Sequence, residues 1–399
     1  MAANSHSVVV PAIDVPSCVT TIRSLGRRDI KVIAVAASAS APGFGSRYCA
    51  ESVLAPDPTT DLAGYREALF DLAVRPSVQT VIPMSEPDVY ALATRREAFS
   101  DHVSTLWPDL TTLQQAHDRL QLLEAARAAD VAVPETTLLG ETDDWSCDQI
   151  IKARFSLLGR SYVDSWDEDG VVEPDTTIQL PAGQQPDTEA VRAAFAHDPL
   201  VQQFIPGAEY SLWALYDTGE AVATCQKRQL RAWSYSGGTS IARETTRFPA
   251  LEAAGNALLE ELEWHGLAAI QFIRDARTGE FVLLEANPRT WISLSCAVRA
   301  GVDFPYYFWQ TAGGQPVSAP TTYPLGVETH LPRGELSYLL SVLGGDDSVA
   351  ARPAATTALS ALAESFGKPA GIDYFSREDP QPYLRSLKNS ITKQVGVGG

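Results

Sequence analysis

The stretch Leu283-Leu284-Glu285-Ala286-Asn287-Pro288-Arg289 sets a carboxylate, a carboxamide and a guanidinium at alternate positions where an apolar strand ends. Just before it, Asp275-Ala276-Arg277-Thr278-Gly279 is a turn signal between two strand-like runs, 269–273 and 280–285. The pattern predicts an antiparallel hairpin. In that hairpin Gln271 lies on the strand beside Glu285, and both side chains can face one surface. Gln271, Glu285 and Asn287 then form a hard-oxygen set of the kind magnesium takes, with waters and phosphate oxygens completing its octahedron. Pro288 stiffens the turn, and Arg289 beyond it can hold a phosphate or carboxylate through two parallel bonds. The plainer alternative is a surface acid followed by an Asn-Pro turn. The apolar strand before Glu285 and the position of Gln271 count against it.

The first hundred residues alternate strand and helix signals. Short β-branched runs at 7–12, 31–35, 52–55 and 80–84 are separated by helical spacing at 18–25 and 62–72. This alternation predicts a parallel sheet covered by helices. Its ligand edge would lie at the carboxyl ends of the strands, at Asp14, at Ser46-Arg47-Tyr48, and at Ser85 to Asp88 with Glu86. No GxGxxG follows the first strand, which argues against a dinucleotide there. Beyond Pro108 the style changes. A helix is expected over 116–129, strands at 149–153, 177–180 and 200–205, and a helix at 189–196; the acidic stretch 164–175 reads as a solvated loop. The half that follows is strand-rich, with a hairpin 210–216/221–224 and helices at 251–264 and 291–300. The expected domains are 1–108, 109–202, 203–320 and a mixed C-terminal region 321–399 ending in a glycine-rich tail.

Composition narrows the function classes. Forty-nine acids against 31 bases give a formal charge of −18, which disfavours nucleic acid and anionic membranes as partners. Only six of the bases are lysines. An acidic, lysine-poor chain resembles proteins of a high-salt cytoplasm, and equally follows from GC-rich coding with a low pI. Five widely spaced cysteines without CxxC spacing fit reduced thiols in the cytoplasm. No stretch reaches transmembrane length, and the chain reads as cytoplasmic. GxSxG, the Walker GxxxxGK[ST] and HExxH are all absent.

Gln271-Phe272 followed by Leu283 to Arg289 resembles the metal-binding signature of the ATP-grasp superfamily, in its carboxylate–amine ligase and carbamoyl-phosphate-synthetase-like branch. The resemblance implies an ATP-grasp fold, α/β and α+β, behind an N-terminal parallel-sheet domain. It extends over most of the chain. His117-Asp118-Arg119-Leu120 is similar to the helix before the family's central domain, which implies phosphate contact by Arg119. Ile150-Ile151-Lys152 resembles the strand whose lysine holds ATP phosphates; a lysine on an apolar strand also costs burial without an anionic partner. Residues 201–209 look like the hinge that grips adenine: Gln202, the backbone at Phe204 and Ile205, and Glu209 on the ribose. Lys227-Arg228-Gln229-Leu230-Arg231 before Ser236-Gly237-Gly238 is similar to the basic strand and phosphate-side loop, where glycines admit close backbone approach.

The implied activity is ATP-dependent amide formation through an acyl phosphate. ATP and Mg2+, with Mn2+ as a substitute, would be the cofactors; a small-molecule carboxylate and amine would be the substrates. Arg289, Lys227, Arg228 and Arg231 would act at the reacting groups, and many relatives are homodimers. One departure stands out. Where relatives carry a Gly/Ser-rich flap, residues 153–161 hold a single glycine, leaving Arg154 and Arg160 as candidate phosphate clamps. Three other functions stay open at this level: an ATP-binding module without turnover, phosphorylation of bicarbonate or carbamate, and a small-molecule-binding protein using only the N-terminal sheet.

Overall fold

A computed structural model describes residues 6–164, 166, 169–174, 176–345, 348–367 and 371–396. Strands β1 (Ser7–Pro11), β2 (Lys31–Ala36), β3 (Cys49–Leu54) and β4 (Val78–Val81) form a parallel sheet in the order β3-β2-β1-β4. Both faces are covered, so β1 reads as an unbroken valine run rather than an alternation. Val8 and Val10 join Cys18, Ile22 and Leu25 on one side, while Val9 meets Tyr65 and Leu69 on the other. The end of β4 runs into the helix Glu86–Ala93, fixed by a capping box between Ser85 and Asp88. That cap sets Glu86 in the first turn.

A second sheet holds β5 (Thr136–Leu138), β6 (Gln149–Lys152), β7 (Thr177–Leu180) and β8 (Leu200–Gln203), antiparallel in the order β5-β8-β6-β7. The helix Thr188–Phe195 covers it through Val191 and Phe195. The largest sheet has seven strands: β9 (Gly207–Asp217), β10 (Glu220–Ser234), β11 (Gly237–Thr246), β12 (Gly266–Asp275), β13 (Phe281–Asn287), β14 (Glu328–His330) and β15 (Gly371–Ile372). Their order is β13-β12-β9-β10-β11-β14-β15, antiparallel except for β14 with β15. The Gly237-Gly238 segment is therefore the tip of the β10–β11 hairpin.

Two sequence expectations change. The helix expected over 116–129 is two helices, Leu110–His117 and Arg119–Ala128, parted at Asp118. The Asp118 carboxylate caps the second helix at Leu120 N and also receives both Arg154 nitrogens, at 2.9 and 2.6 Å. A side chain that satisfies an orphan helical N–H competes with helix continuation. The C-terminal region is mainly helical (Pro332–Gly344, Ala355–Gly367, Gln381–Gly396), and it closes much of the N-terminal sheet's presumed ligand edge. Asp14 accepts from Tyr374 Oη at 2.9 Å and from Asn389. Asp379 accepts from Arg23, Ser46 Oγ and Arg47 N. Of that edge, Glu86 lines the interior cleft described below. Part of the acidic stretch 164–175 and the glycines at 398–399 lie outside the described residues.

The start of β12 depends on a glycine. Gly266 has φ +100°, and a Cβ there would lie 2.7 Å from Leu106 O and 2.9 Å from Trp107 Cα. Gly266→Ala is expected to destabilise the protein by more than about 1 kcal/mol, seen as a lower urea midpoint. An unchanged midpoint would show that the backbone relaxes freely there.

Candidate active site

The large sheet supplies the floor of a cleft of about 520 Å3. Register places Lys227, Ser211, Gln271 and Glu285 in one row across β10, β9, β12 and β13. Trp213, Ala269 and Asn287 make the next row on the same face. An irregularity in β13 makes this possible. Simple alternation would send Leu283 and Glu285 to the same side. Instead Phe272 pairs with Leu283 and Gln271 with Glu285, so Leu284 is an extra residue. The bulge keeps Leu283 in the helix-covered core with Ile270 and Phe272 and turns Glu285 into the cleft.

The second sheet faces this floor with Ile150, Lys152, Gln202 and Gln179. Lys152 has its ammonium pushed down to about 7, by burial first and by Arg119 second, with Glu285 opposing. An anion placed there would restore its charge. Arg119 donates to Ala153 O at 2.8 Å and lies 3.4 Å from Glu285 Oε2. Burial works to raise the Glu285 carboxyl, but Arg119, Asn287, Lys152 and Arg289 together hold it below its ordinary value.

From Glu285 a string of polar contacts crosses the cleft. Asn287 Nδ2 donates to Glu285 Oε1 at 3.1 Å, and Arg289 Nη2 donates to Asn287 Oδ1 at 3.1 Å. Arg289 Nε lies 3.1 Å from Glu86 Oε1, and Glu86 Oε2 is 2.9 Å from His117 Nε2. His117 Nδ1 pairs with the Tyr162 hydroxyl at 2.7 Å. Glu173, on the segment after the flap, approaches Arg289 to 3.8 Å. Burial opposes the Arg289 charge, but Glu86, Glu173, Glu285 and Asp88 outweigh it and hold the guanidinium above its ordinary value.

Of the residues singled out from sequence, Gln271, Glu285, Asn287 and Arg289 line the cleft, as do Arg119, Lys152 and Gln202. Ser236, Gly237, Gly238, Lys227 and Glu209 line it too. Lys227 and Glu209 face each other at 3.2 Å, with Gln229 bridging to both. Six others are not brought to the lining. Arg228 follows Lys227 on the strand, lies on the opposite face, and pairs with Glu244 at 3.6 Å. Arg231 follows a register slip and makes a two-pronged pair with Glu335 on the helix Pro332–Gly344, at 2.7 and 2.6 Å. Phe204 donates its N–H to Asp148 O, and Ile205 is buried beside it. Arg154 is committed to Asp118 and Arg160 lies 3.5 Å from Asp169.

Glu173, and the His117–Tyr162 pair that extends from the expected edge residue Glu86, are the functional candidates that sequence reading missed. Nothing local marks Glu173 among its acidic neighbours. The glycine-poor flap has its own anchorage. Leu157 and Val171 enter the N-terminal core, Val171 N donates to Pro58 O, and Tyr90 Oη pairs with Ser161 Oγ.

Among the described residues no three His, Cys, Asp or Glu side chains cluster as a metal cage. Gln271, Glu285 and Asn287 offer one carboxylate and two amides. That donor set fits a magnesium ion that also takes phosphate oxygens and water, rather than one held by protein alone. No described helix is long and apolar enough to cross a membrane.

Residues 196–330 match a family model described as ATP-grasp in the biosynthetic pathway with Ter operon. No curated protein sequence matches the chain. Several solved structures share its fold. The biotin carboxylase domain of Hydrogenobacter thermophilus 2-oxoglutarate carboxylase, in complex with MgADP, ADP and bicarbonate, is 14% identical with a TM-score of 0.60; the match covers 81% of this chain and 73% of that one. An L-amino acid ligase from Bacillus licheniformis is 15% identical with a TM-score of 0.55, covering 77% and 74%. Rhizobium etli pyruvate carboxylase is 16% identical with a TM-score of 0.56, covering 78% of this chain; the chain spans only 30% of that protein.

Proposed function

The chain has the ATP-grasp fold, and on that premise we propose that it is an ATP-dependent carboxylate–amine ligase working in the cleft between its two antiparallel sheets. The observation that carries the reading is the string Glu285–Asn287–Arg289, which sets metal-type oxygens beside a guanidinium and opposite Lys152. Lys152 and Arg119 receive ATP phosphates, and the Gly237-Gly238 hairpin tip approaches them by its backbone. Glu285, Gln271 and Asn287 would hold magnesium, which when bound would supply charge neutralisation for the transferring phosphoryl group. Arg289, braced by Glu86, orients the substrate carboxylate. That carboxylate takes the γ-phosphoryl group, the amine then displaces phosphate from the acyl carbon, and an amide, ADP and phosphate leave. Positioning and fixed charge supply most of the rate.

Magnesium-dependent ADP release across a panel of carboxylates, each with and without amines, tests this. Release requiring both substrates supports the ligase; release with bicarbonate alone supports the second reading, phosphorylation of bicarbonate. The Hydrogenobacter neighbour, in complex with that anion, favours keeping this second arm.

Lys152 gives a pH signature. With its ammonium at about 7, the free enzyme at pH 8 holds this side chain mostly neutral. Phosphate favours the charged form, so ATP binding takes up a proton and weakens as pH rises from 6 to 9. Calorimetry at pH 8 should show an enthalpy that depends on the buffer's ionisation heat. Lys152→Ala should abolish that uptake and weaken ATP by about 10- to 100-fold, the worth of a charged hydrogen bond. Equal proton uptake in the variant would remove Lys152 from the phosphate site.

A further inference from the structure

Two carboxylates flank Arg289, and they are not equivalent. Glu86 is 2% exposed, with Oε2 bonded to His117 and Oε1 in an ion pair 3.1 Å from Arg289 Nε that lacks hydrogen-bond geometry. It is a brace. Glu173 lines the cleft with a side chain 42% exposed, approaches Arg289 at a long 3.8 Å, and also accepts from the Glu86 backbone N–H. Its position is nevertheless set by firm contacts. Val172 exchanges both backbone bonds with Leu158, at 2.8 and 3.0 Å, and Val171 N donates to Pro58 O. Gly170 packs so closely that a Cβ would meet Thr59 O. The segment thus holds a partly buried, cleft-lining carboxylate beside the guanidinium assigned to the substrate carboxylate.

We propose that Glu173 receives the ammonium group of the second substrate and takes its proton before amide formation. The inference rests on the ligase reading and adds to it the chemical class of the nucleophile, a primary alkylammonium. A substrate carboxylate entering at Arg289 takes over the guanidinium from Glu173. The freed Glu173 carboxylate then faces a cation next to the acyl carbon. The proton passes from nitrogen to the Glu173 oxygen, leaving a neutral amine with its lone pair. Nitrogen bonds to the acyl carbon, the carbon–oxygen bond to phosphate breaks, and phosphate leaves with that electron pair. The second nitrogen proton goes to phosphate or water, and Glu173 returns its proton to solvent.

The electrostatics suit the task. Removal from bulk water raises the Glu173 carboxyl, Arg289 opposes, and Glu86 and Asp88 add to the rise, so that it is pushed up to about 7. A base titrating near the working pH is effective at proton transfer. The groups facing it are Arg289, Glu86 and Asp88, so its titration is read against a fixed cation and two acids.

Hydroxylamine separates this step from phosphorylation, because it is uncharged at neutral pH and needs no base. Wild type and Glu173→Gln would be given ATP, magnesium and a panel of amino, hydroxy and aromatic carboxylic acids. Either hydroxylamine or methylamine would be the nucleophile. Hydroxamate formation should stay within about threefold in the variant, while methylamide formation falls by about 10²- to 10⁴-fold, the usual worth of a general base. The methylamide rate of the wild type should rise with pH and level off above about 7, whereas in the variant it should lack that levelling and keep rising with the fraction of free methylamine. Parallel loss of both products, or of neither, overturns the assignment. If the wild type forms no hydroxamate with any acid, the ligase reading itself fails, and the role of Glu173 with it.

Discussion

Glu285→Ala is expected to lower kcat for carboxylate-dependent ADP release by about 10²- to 10³-fold, comparable to deleting one fixed electrostatic contact to a transition state. Glu285 is the single carboxylate of the proposed magnesium set, and the other two donors are neutral amides. Removing it also strips Arg119 and Lys152 of their nearest anion, since both act on this carboxylate. The cleft would then bind phosphate without placing a metal on it. Nucleotide affinity should therefore fall less than kcat. Glu285→Gln keeps the shape and should lose nearly as much, which separates charge from packing. Full turnover in either variant would move the metal elsewhere.

The largest stability effect is expected from the pair Arg243–Asp373, where both side chains are 0% exposed. Arg243 sits on β11, and Asp373 follows β15; Ser295 Oγ also donates to Asp373, at 2.7 Å. Desolvating two charges offsets much of their attraction, so the pair itself adds little net stability. Losing one partner is another matter, because the remaining charge stays buried. Arg243→Ala or Asp373→Ala should each cost about 3–5 kcal/mol. The expected observation is a large fall in unfolding midpoint, with early proteolysis of the C-terminal helices. A paired Arg243→Met, Asp373→Leu replacement should recover most of the loss. Equal damage in the double variant would point to shape rather than stranded charge.

Much of this was legible in sequence because local chemistry and periodicity agreed. The valine run of β1 could only be a strand covered on both faces, and Glu285 and Asn287 closed an apolar strand beside Gln271. Lys152 stood out as a rare lysine on an apolar strand. What escaped depended on contacts between distant segments. The bulge at Leu284 has no glycine or proline to announce it, yet it decides which face Glu285 takes. Arg231 looked like its basic neighbours until the slip after Gln229 turned it to Glu335. Asp118 splits a strong helical pattern because Arg154 and a helix N-terminus both draw on its carboxylate. Asp14 and Arg47 resembled ligand-edge residues, and the C-terminal segment uses them for packing contacts instead. Glu173 gains its meaning only from the return of its segment past Pro58 to Arg289.

The proposed ligase transfers phosphate from ATP to a carboxylate before the carbon–nitrogen bond forms. Oxygen-18 tests it most directly. A carboxylic acid that supports ADP release would be supplied with both carboxyl oxygens labelled, together with its amine, and the released phosphate analysed by mass spectrometry. An acyl phosphate requires one labelled oxygen in each phosphate formed, because the bond broken by the amine is the one between the acyl carbon and that oxygen. Phosphate free of label, at the same ADP yield, would contradict the account.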